Sequence, residues 1–154
     1  MGNKEKIQQT VVQWYAKNGR KLPWRETTNP YKILVSEIML QQTQVDRVVP
    51  KYHAFLERFP VAEALASAPV ADVLRLWSGL GYNRRALYLQ KCAQALGEKY
   101  RGPFPTTEAE LLDLPGIGKY TAAAVLSFAF NKEVPVIDVN IELLYKRIFY
   151  NKAD

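Results

Sequence analysis

The chain has 154 residues, 48% of them hydrophobic and 23% charged, with a net charge of +6. That length suits one domain with its own core, or one and a fraction, and the basic excess points toward a polyanionic partner. Cys92 is the only cysteine and His53 the only histidine, which excludes an internal disulfide and leaves no zinc or iron–sulfur ligand set. His53 falls mid-helix beside Tyr52 and Phe55, a place for surface or packing rather than for a Ser-His-Asp or Cys-His site. The first residues lead into a mixed amphipathic segment without an apolar signal core, and no run approaches a membrane span. An intracellular protein with no membrane partner is the expectation.

Ile7, Val11, Trp14 and Tyr15 recur at helical spacing and predict a first helix to about Ala16. Asn18-Gly19 ends it, and residues 20–25 read as a loop in which two arginines flank Trp24. Asn29-Pro30 opens a second helix, with proline where a first turn tolerates it. It carries Ile33, Leu34, Ile38, Met39 and Leu40 and leads into Gln41-Gln42-Thr43-Gln44. A third helix is expected from Val48 to Phe59, closed by Pro60. Short helices follow at 61–66 and after Pro69, the latter burying Val73, Leu74 and Trp77. Gly79-Leu80-Gly81-Tyr82-Asn83 is a break, after which Arg84-Arg85 opens a long helix with Leu87, Leu89, Cys92, Ala93 and Leu96 inward. Thr107 caps a short helix to Leu112. The segment from Thr121 to Phe130 is apolar on most sides and reads as a central helix. Val134 to Ile137 is extended around Pro135. Asp138 or Asn140 caps a last helix to about Tyr150. With no strand alternation and no internal repeat, the class is all-α.

Several groups in this order carry chemistry. Between the short helix and the central one, Pro115-Gly116-Ile117-Gly118-Lys119 pairs turn residues with two permissive backbone positions. Bare N–H groups, a helix N-terminus and the Lys119 charge suit a phosphate, although the same residues also make an ordinary helix–turn–helix corner. Glu37 lies among apolar neighbours, and burial raises a carboxyl pKa toward that of a usable general acid. Ile33, Glu37, Leu40 and Gln44 share one helix face at i, i+4, i+7 and i+11 spacing. Asp138 reads as a helix N-cap and also as a fixed carboxylate beside positive charge. A Glu acid with an Asp stabiliser is the pairing that cleaves glycosidic bonds. Gln41, Gln42 and Tyr82 stand at helix ends or turns, either as surface polarity or as side chains for insertion into a base stack. Arg84, Arg85 and Lys119 are candidate phosphate contacts.

Six motifs then follow one another: Leu-Pro-Trp-Arg at 22–25, Pro-Tyr-Lys at 30–32, Ser-Glu-Ile-Met-Leu-Gln-Gln-Thr-Gln-Val at 36–45, Gly-Leu-Gly-Tyr at 79–82, Leu-Pro-Gly-Ile-Gly-Lys-Tyr-Thr-Ala at 114–122, and Asp-x-Asn at 138–140. In this set the chain resembles the helix-hairpin-helix DNA glycosylase superfamily from Trp14 to about Tyr150. Within it, the run at 36–43 resembles the adenine glycosylase (MutY-like) branch, which excises adenine mispaired with 8-oxoguanine. The resemblance implies a six-helix lobe at 22–131 with the hairpin, and a partial second lobe. That second lobe is made of residues 1–21 and of 132–154, where the Asp138 segment lies. It implies that Glu37 protonates the leaving base and handles the water, that Asp138 stabilises the sugar cation, and that Tyr120 and Asn140 support them. Arg20, Trp24 and Leu40 would line the base pocket. Gln41, Gln42 and Tyr82 would meet the duplex as a wedge, and Arg84, Gly116, Gly118, Lys119 and Thr121 would contact its backbone. Lyase-active relatives place a lysine where Tyr120 stands, so the implied enzyme is monofunctional. Thymine-excising relatives share the tyrosine, so a thymine or uracil mismatch glycosylase stays open, as does a non-catalytic DNA-binding module. Two features depart from the pattern. Glu142 stands where a phosphate-facing cation is common, and the four cysteines of the family's usual [4Fe-4S] loop are absent, as expected for a chain truncated before that loop. The implied partner is duplex DNA with a mismatched or damaged base pair. Self-association, or a polypeptide completing the second lobe, would cover the apolar faces left over. In a prokaryote the place would be the cytoplasm, at the nucleoid.

Overall fold

The helix from Pro30 to Leu40 is apolar on almost every side, and the rest of the fold follows from burying it. The computed structural model describes residues 3–101 and 103–150. In chain order these form α1 (Asn3–Asn18), a 3-10 turn (Pro23–Arg25), α2 (Pro30–Leu40), α3 (Val45–Arg58), α4 (Ala62–Ala66), α5 (Val70–Trp77), α6 (Arg84–Tyr100), α7 (Glu108–Leu112), α8 (Lys119–Phe130) and α9 (Val139–Phe149). Among the described residues there is no strand, and the class is all-α.

Asn29 caps α2 by accepting the Lys32 N–H at 3.1 Å, with Pro30 at the first helical position. Eight of its residues, Tyr31 and Ile33 to Met39, are buried. The helix packs against α3 on one side and α8 on the other. In α8 the run Thr121 to Leu126 is buried, and Ala122, Ala123 and Ala124 bring little bulk to the contact. Placing α2 beside the start of α8 is what brings Glu37 next to Tyr120. Beneath them Phe55 meets Phe59 and Trp77 edge-on, with ring centroids 5.0 and 5.9 Å apart. The buried cluster extends from Leu22 to Leu126.

The helices at the two ends of the chain stand apart from that core. Val11, Val12, Trp14 and Tyr15 of α1 are exposed, as are Leu143, Leu144, Ile148 and Phe149 of α9. None of the α9 residues is buried.

Local boundaries differ from the sequence reading where the backbone turns sharply. Helix α2 stops at Leu40, because Gln42 adopts φ 53 in the left-handed region. Gln44 therefore does not extend the Ile33–Glu37–Leu40 face. It is instead the extended residue before α3, which starts at Val45 rather than Val48. Residues 23–25, expected as plain loop, close into the 3-10 turn with Pro23 leading and Trp24 buried. Thr107 caps α7 within a full capping box, because Glu110 reaches back to the Thr107 N–H at 3.1 Å.

Candidate active site

Glu37 is 7% exposed on α2. Burial raises its carboxyl above the ordinary value of 4.5, and a hydrogen bond donated by the Tyr120 hydroxyl pulls it partly back down. Tyr120 is pushed up to about 12, first by burial, then by the charge and hydrogen bond of Glu37, then by the charge of Asp138. The phenol thus stays a donor at neutral pH and lies within electrostatic reach of both carboxyls.

Asp138 arrives from the other side, at the end of the irregular segment 131–138. It is the N-cap of α9, its Oδ1 accepting the Ile141 N–H at 2.7 Å. Its Oδ2 accepts from Asn140 Nδ2 at 3.4 Å. Both sequence readings of Asp138 describe one geometry, since the cap that starts the helix also fixes the carboxylate. Glu142, a turn further on, is paired with Lys146 at 2.8 Å, so its charge is offset within α9.

Glu37, Tyr120, Asp138 and Asn140 line one cleft of about 1330 Å³. Arg20, Trp24 and Leu40 line it as well, and so do Gln41, Gln42, Tyr82 and Arg84 at its mouth. Trp24 is buried and set edge-on to Tyr52, centroids 5.4 Å apart. Tyr82 is 67% exposed on a loop at φ 48. With Arg85, which also lines it, twelve of the sixteen candidate residues therefore meet at this one cleft, although they lie up to 120 positions apart, from Arg20 to Asn140.

The remaining four, Gly116, Gly118, Lys119 and Thr121, form the hairpin outside the cleft. Gly116 has φ 79, and a Cβ there would sit 2.7 Å from Tyr88 Cβ, so glycine is required on two counts. Gly118 needs no such freedom. Its φ of −98 and ψ of 175 are extended backbone that any residue adopts. What its missing side chain leaves is open space, with nothing within 4 Å of a Cβ, at the uncapped start of α8. Backbone N–H groups in that first turn lack intrahelical partners, an arrangement that suits an anion. Lys119 is exposed beside them. Thr121 is only 3% exposed, so its side chain belongs to the core and only its N–H faces the hairpin's outer end.

Arg85 has internal partners that the sequence reading did not foresee. It lines the cleft, and its guanidinium donates to the carbonyls of Ile38, Met39, Gln41, Leu80 and Gly81. Both terminal nitrogens are thereby engaged inside the protein. Other cleft residues were not singled out in the sequence. Ser36 and Phe128 line it, and so does Tyr15, over whose ring the Arg25 guanidinium lies at 5.4 Å. Phe128 had a signal, being a large apolar residue left 49% exposed two positions beyond the buried run of α8. That signal appears only once the helix is packed.

Among the described residues, no group of three or more His, Cys, Asp or Glu is placed to hold a metal ion. A cluster bound by four thiolates does not fit this chain. Cys92, its one cysteine, lies buried in the core, which pushes the thiol up to about 12.

Comparison with known proteins agrees with this geometry. The family model for HhH-GPD superfamily base excision DNA repair proteins matches residues 35–154. The chain belongs to that superfamily. It is 49% identical over 142 residues to an adenine DNA glycosylase of Buchnera aphidicola subsp. Baizongia pistaciae, covering 92% of the chain and 40% of that protein. It is 46% identical over 145 residues to an adenine DNA glycosylase of Mycolicibacterium smegmatis, covering 94% of the chain and 50% of that protein. The chain thus spans half or less of these curated relatives. A solved structure of a thermostable thymine-DNA glycosylase superposes with a TM-score of 0.89 at 32% identity, over 94% of this chain and 67% of that one.

Proposed function

We propose that this chain carries the catalytic cleft of a monofunctional DNA glycosylase that removes adenine mispaired with 8-oxoguanine or guanine. The observation that supports it most is the buried, Tyr120-bonded Glu37 sharing a cleft with the capped Asp138. A glycosidic bond inside a duplex is unreachable in the stack, so the target nucleotide must be flipped into the cleft. Burial disfavours the Glu37 anion and so favours the protonated carboxyl, which donates its proton to the departing base. As the bond from C1′ to the base nitrogen breaks, the electron pair leaves with the base and the sugar becomes oxocarbenium-like. Asp138 offsets that positive charge from a fixed position. The Glu37 carboxylate then takes a proton from water as the water oxygen bonds C1′, giving free adenine and an abasic sugar. Tyr120 at about 12 is a hydrogen-bond donor and not an amine nucleophile, so no covalent imine forms and the strand stays intact.

Arg20, Trp24 and Leu40 would receive the base. Gln41, Gln42 and Tyr82 would fill the gap it leaves, and Arg84, Lys119 and the hairpin N–H groups would hold phosphates. In this reading residues 22–131 are the DNA-binding lobe, and residues 1–21 and 132–154 belong to a second lobe. The apolar faces of α1 and α9 pair with a second copy when nothing else covers them.

The thymine-DNA glycosylase likeness supports a second reading, in which the same carboxyls act on thymine opposite guanine. Single-turnover assays on duplexes carrying adenine opposite 8-oxoguanine, adenine opposite guanine and thymine opposite guanine separate the readings. The expected product is adenine from the first two. Release of thymine alone would favour the second reading. Binding with no base released from any duplex would leave only the DNA-binding module.

A further inference from the structure

Gln42 and Tyr82 have left-handed backbone, φ 53 and 48, which residues other than glycine keep only where their surroundings over-determine it. One side chain supplies that determination. Arg85, in the first turn of α6, donates through Nη1 to the carbonyls of Ile38 at 2.9 Å, Met39 at 3.1 Å and Gln41 at 2.5 Å. These include C-terminal carbonyls of α2, the groups a helix end leaves without partners. Through Nη2 it donates to Leu80 O at 2.9 Å, Gly81 O at 3.0 Å and Thr43 Oγ1 at 3.2 Å. Thr43 ties the same two loops again, its hydroxyl lying 3.2 Å from Gln41 O and 3.3 Å from Leu80 O. The guanidinium carbon is 5.5 Å from the Trp77 ring centroid and 5.6 Å from that of Tyr82. Trp77 Nε1 donates to Gly81 O at 3.2 Å, closing the arrangement from below. Arg85 Nε is buried without a partner, and among the described residues Arg85 takes part in no ion pair.

We infer that Arg85 is a positioning residue that joins the Gln41–Thr43 turn and the Leu80–Tyr82 loop into one preformed wedge, so that Gln42 and Tyr82 enter the base stack together. The inference rests on the base-flipping reading given above. A planar fork with five donors spans both loops and stacks on rings at once, whereas an ammonium keeps the charge but has neither the plane nor the reach. Without the clamp each loop relaxes from its left-handed backbone independently, and the duplex must order them at its own cost.

The test uses Arg85→Lys and Arg85→Met with a duplex carrying 2-aminopurine in place of the target adenine, whose fluorescence rises when the base leaves the stack. At saturating protein, both variants should lose most of the fluorescence gain, because the duplex must then order the two loops at its own cost. Affinity for the duplex should change little, because the phosphate contacts lie elsewhere. Amide exchange should quicken at Gln42, Thr43 and Leu80 to Tyr82 and stay unchanged along α8. Should Arg85→Met fail to fold, Arg85→Lys with its melting curve decides the matter. A lysine variant with the wild-type fluorescence gain and wild-type exchange in both loops would overturn the inference. An unmodified protein that gives no fluorescence gain would instead overturn the base-flipping reading on which it rests, so the two failures are distinguishable.

Discussion

Replacing Glu37 by glutamine preserves the shape of the side chain and an oxygen for the Tyr120 hydroxyl, and removes only the ionisable proton. General acid catalysis contributes a factor of about 10² to 10⁴, equivalent to about 3–5 kcal/mol of barrier, and base release should fall by that factor with duplex affinity retained. The same substitution has a signature in stability. Because burial raises the folded carboxyl above 4.5, the folded chain holds this proton more tightly than the unfolded chain does. Glu37 therefore costs nothing below pH 4.5, and unfolding becomes easier as pH rises from there through the raised folded value. Above that window the full penalty of a buried carboxylate applies. Glu37→Gln should match the wild type in acid and be the more stable protein at neutral pH. Single-turnover excision at a series of pH values, paired with urea unfolding at the same values, measures both effects. An unchanged excision rate would refute the acid assignment. A variant less stable than the parent at pH 7 would refute the claim that burial sets the titration.

Tyr120→Phe removes the hydrogen bond that lowers the Glu37 carboxyl, so the alkaline limb of the excision profile should move to higher pH; a move to lower pH would show the phenol acting otherwise. Lys119→Ala should weaken every duplex alike and reduce the slope of log affinity against log salt by about one, whereas a loss confined to mispaired DNA would place it in the base pocket. Gly116→Ala meets Tyr88 and a φ of 79 and should lower stability by about 1–3 kcal/mol. Gly118→Ala should fold normally yet bind duplex less well, and melting curves beside affinity measurements check the pair. Sedimentation at micromolar concentration should show self-association that Trp14→Ser with Leu144→Ser abolishes; a monomeric parent would leave the exposed faces of α1 and α9 without a role for a second copy.

How much of this was legible in the sequence depended on the range of the interaction. The Asn29-Pro30 start of α2 and the Asp138 cap are local, each fixed by a side chain that accepts an N–H three residues on, and the Gly116 turn is marked by the residue type its positive φ favours. Their chemistry could be read without a partner. The end of α2 was less legible, because Leu40-Gln41-Gln42 has no helix-breaking residue. The turn there carries a hydrogen bond from Arg85 to the Gln41 carbonyl, from 44 positions away. The internal bonds of Arg85 were hidden for the same reason. A sequence gives the charge of an arginine but not the side of the helix on which carbonyls wait for it. Gly118 shows the opposite error, a glycine credited with backbone freedom where the structure uses only its emptiness. Tyr15 and Phe128 line the cleft from α1 and α8, and no spacing rule connects them.

The central claim is that this cleft stabilises a positively charged sugar by the fixed carboxylate of Asp138. The most direct measurement is the affinity for two duplexes that differ only at the target position, one carrying a cationic pyrrolidine abasic analogue and the other a neutral tetrahydrofuran. Transition-state analogues bind about 10² to 10⁸ times more tightly than ground-state ligands, so the cationic duplex should bind at least about a hundredfold more tightly, and Asp138→Asn should remove most of that preference. Equal affinity for the two duplexes, or a preference that survives Asp138→Asn, would contradict the account.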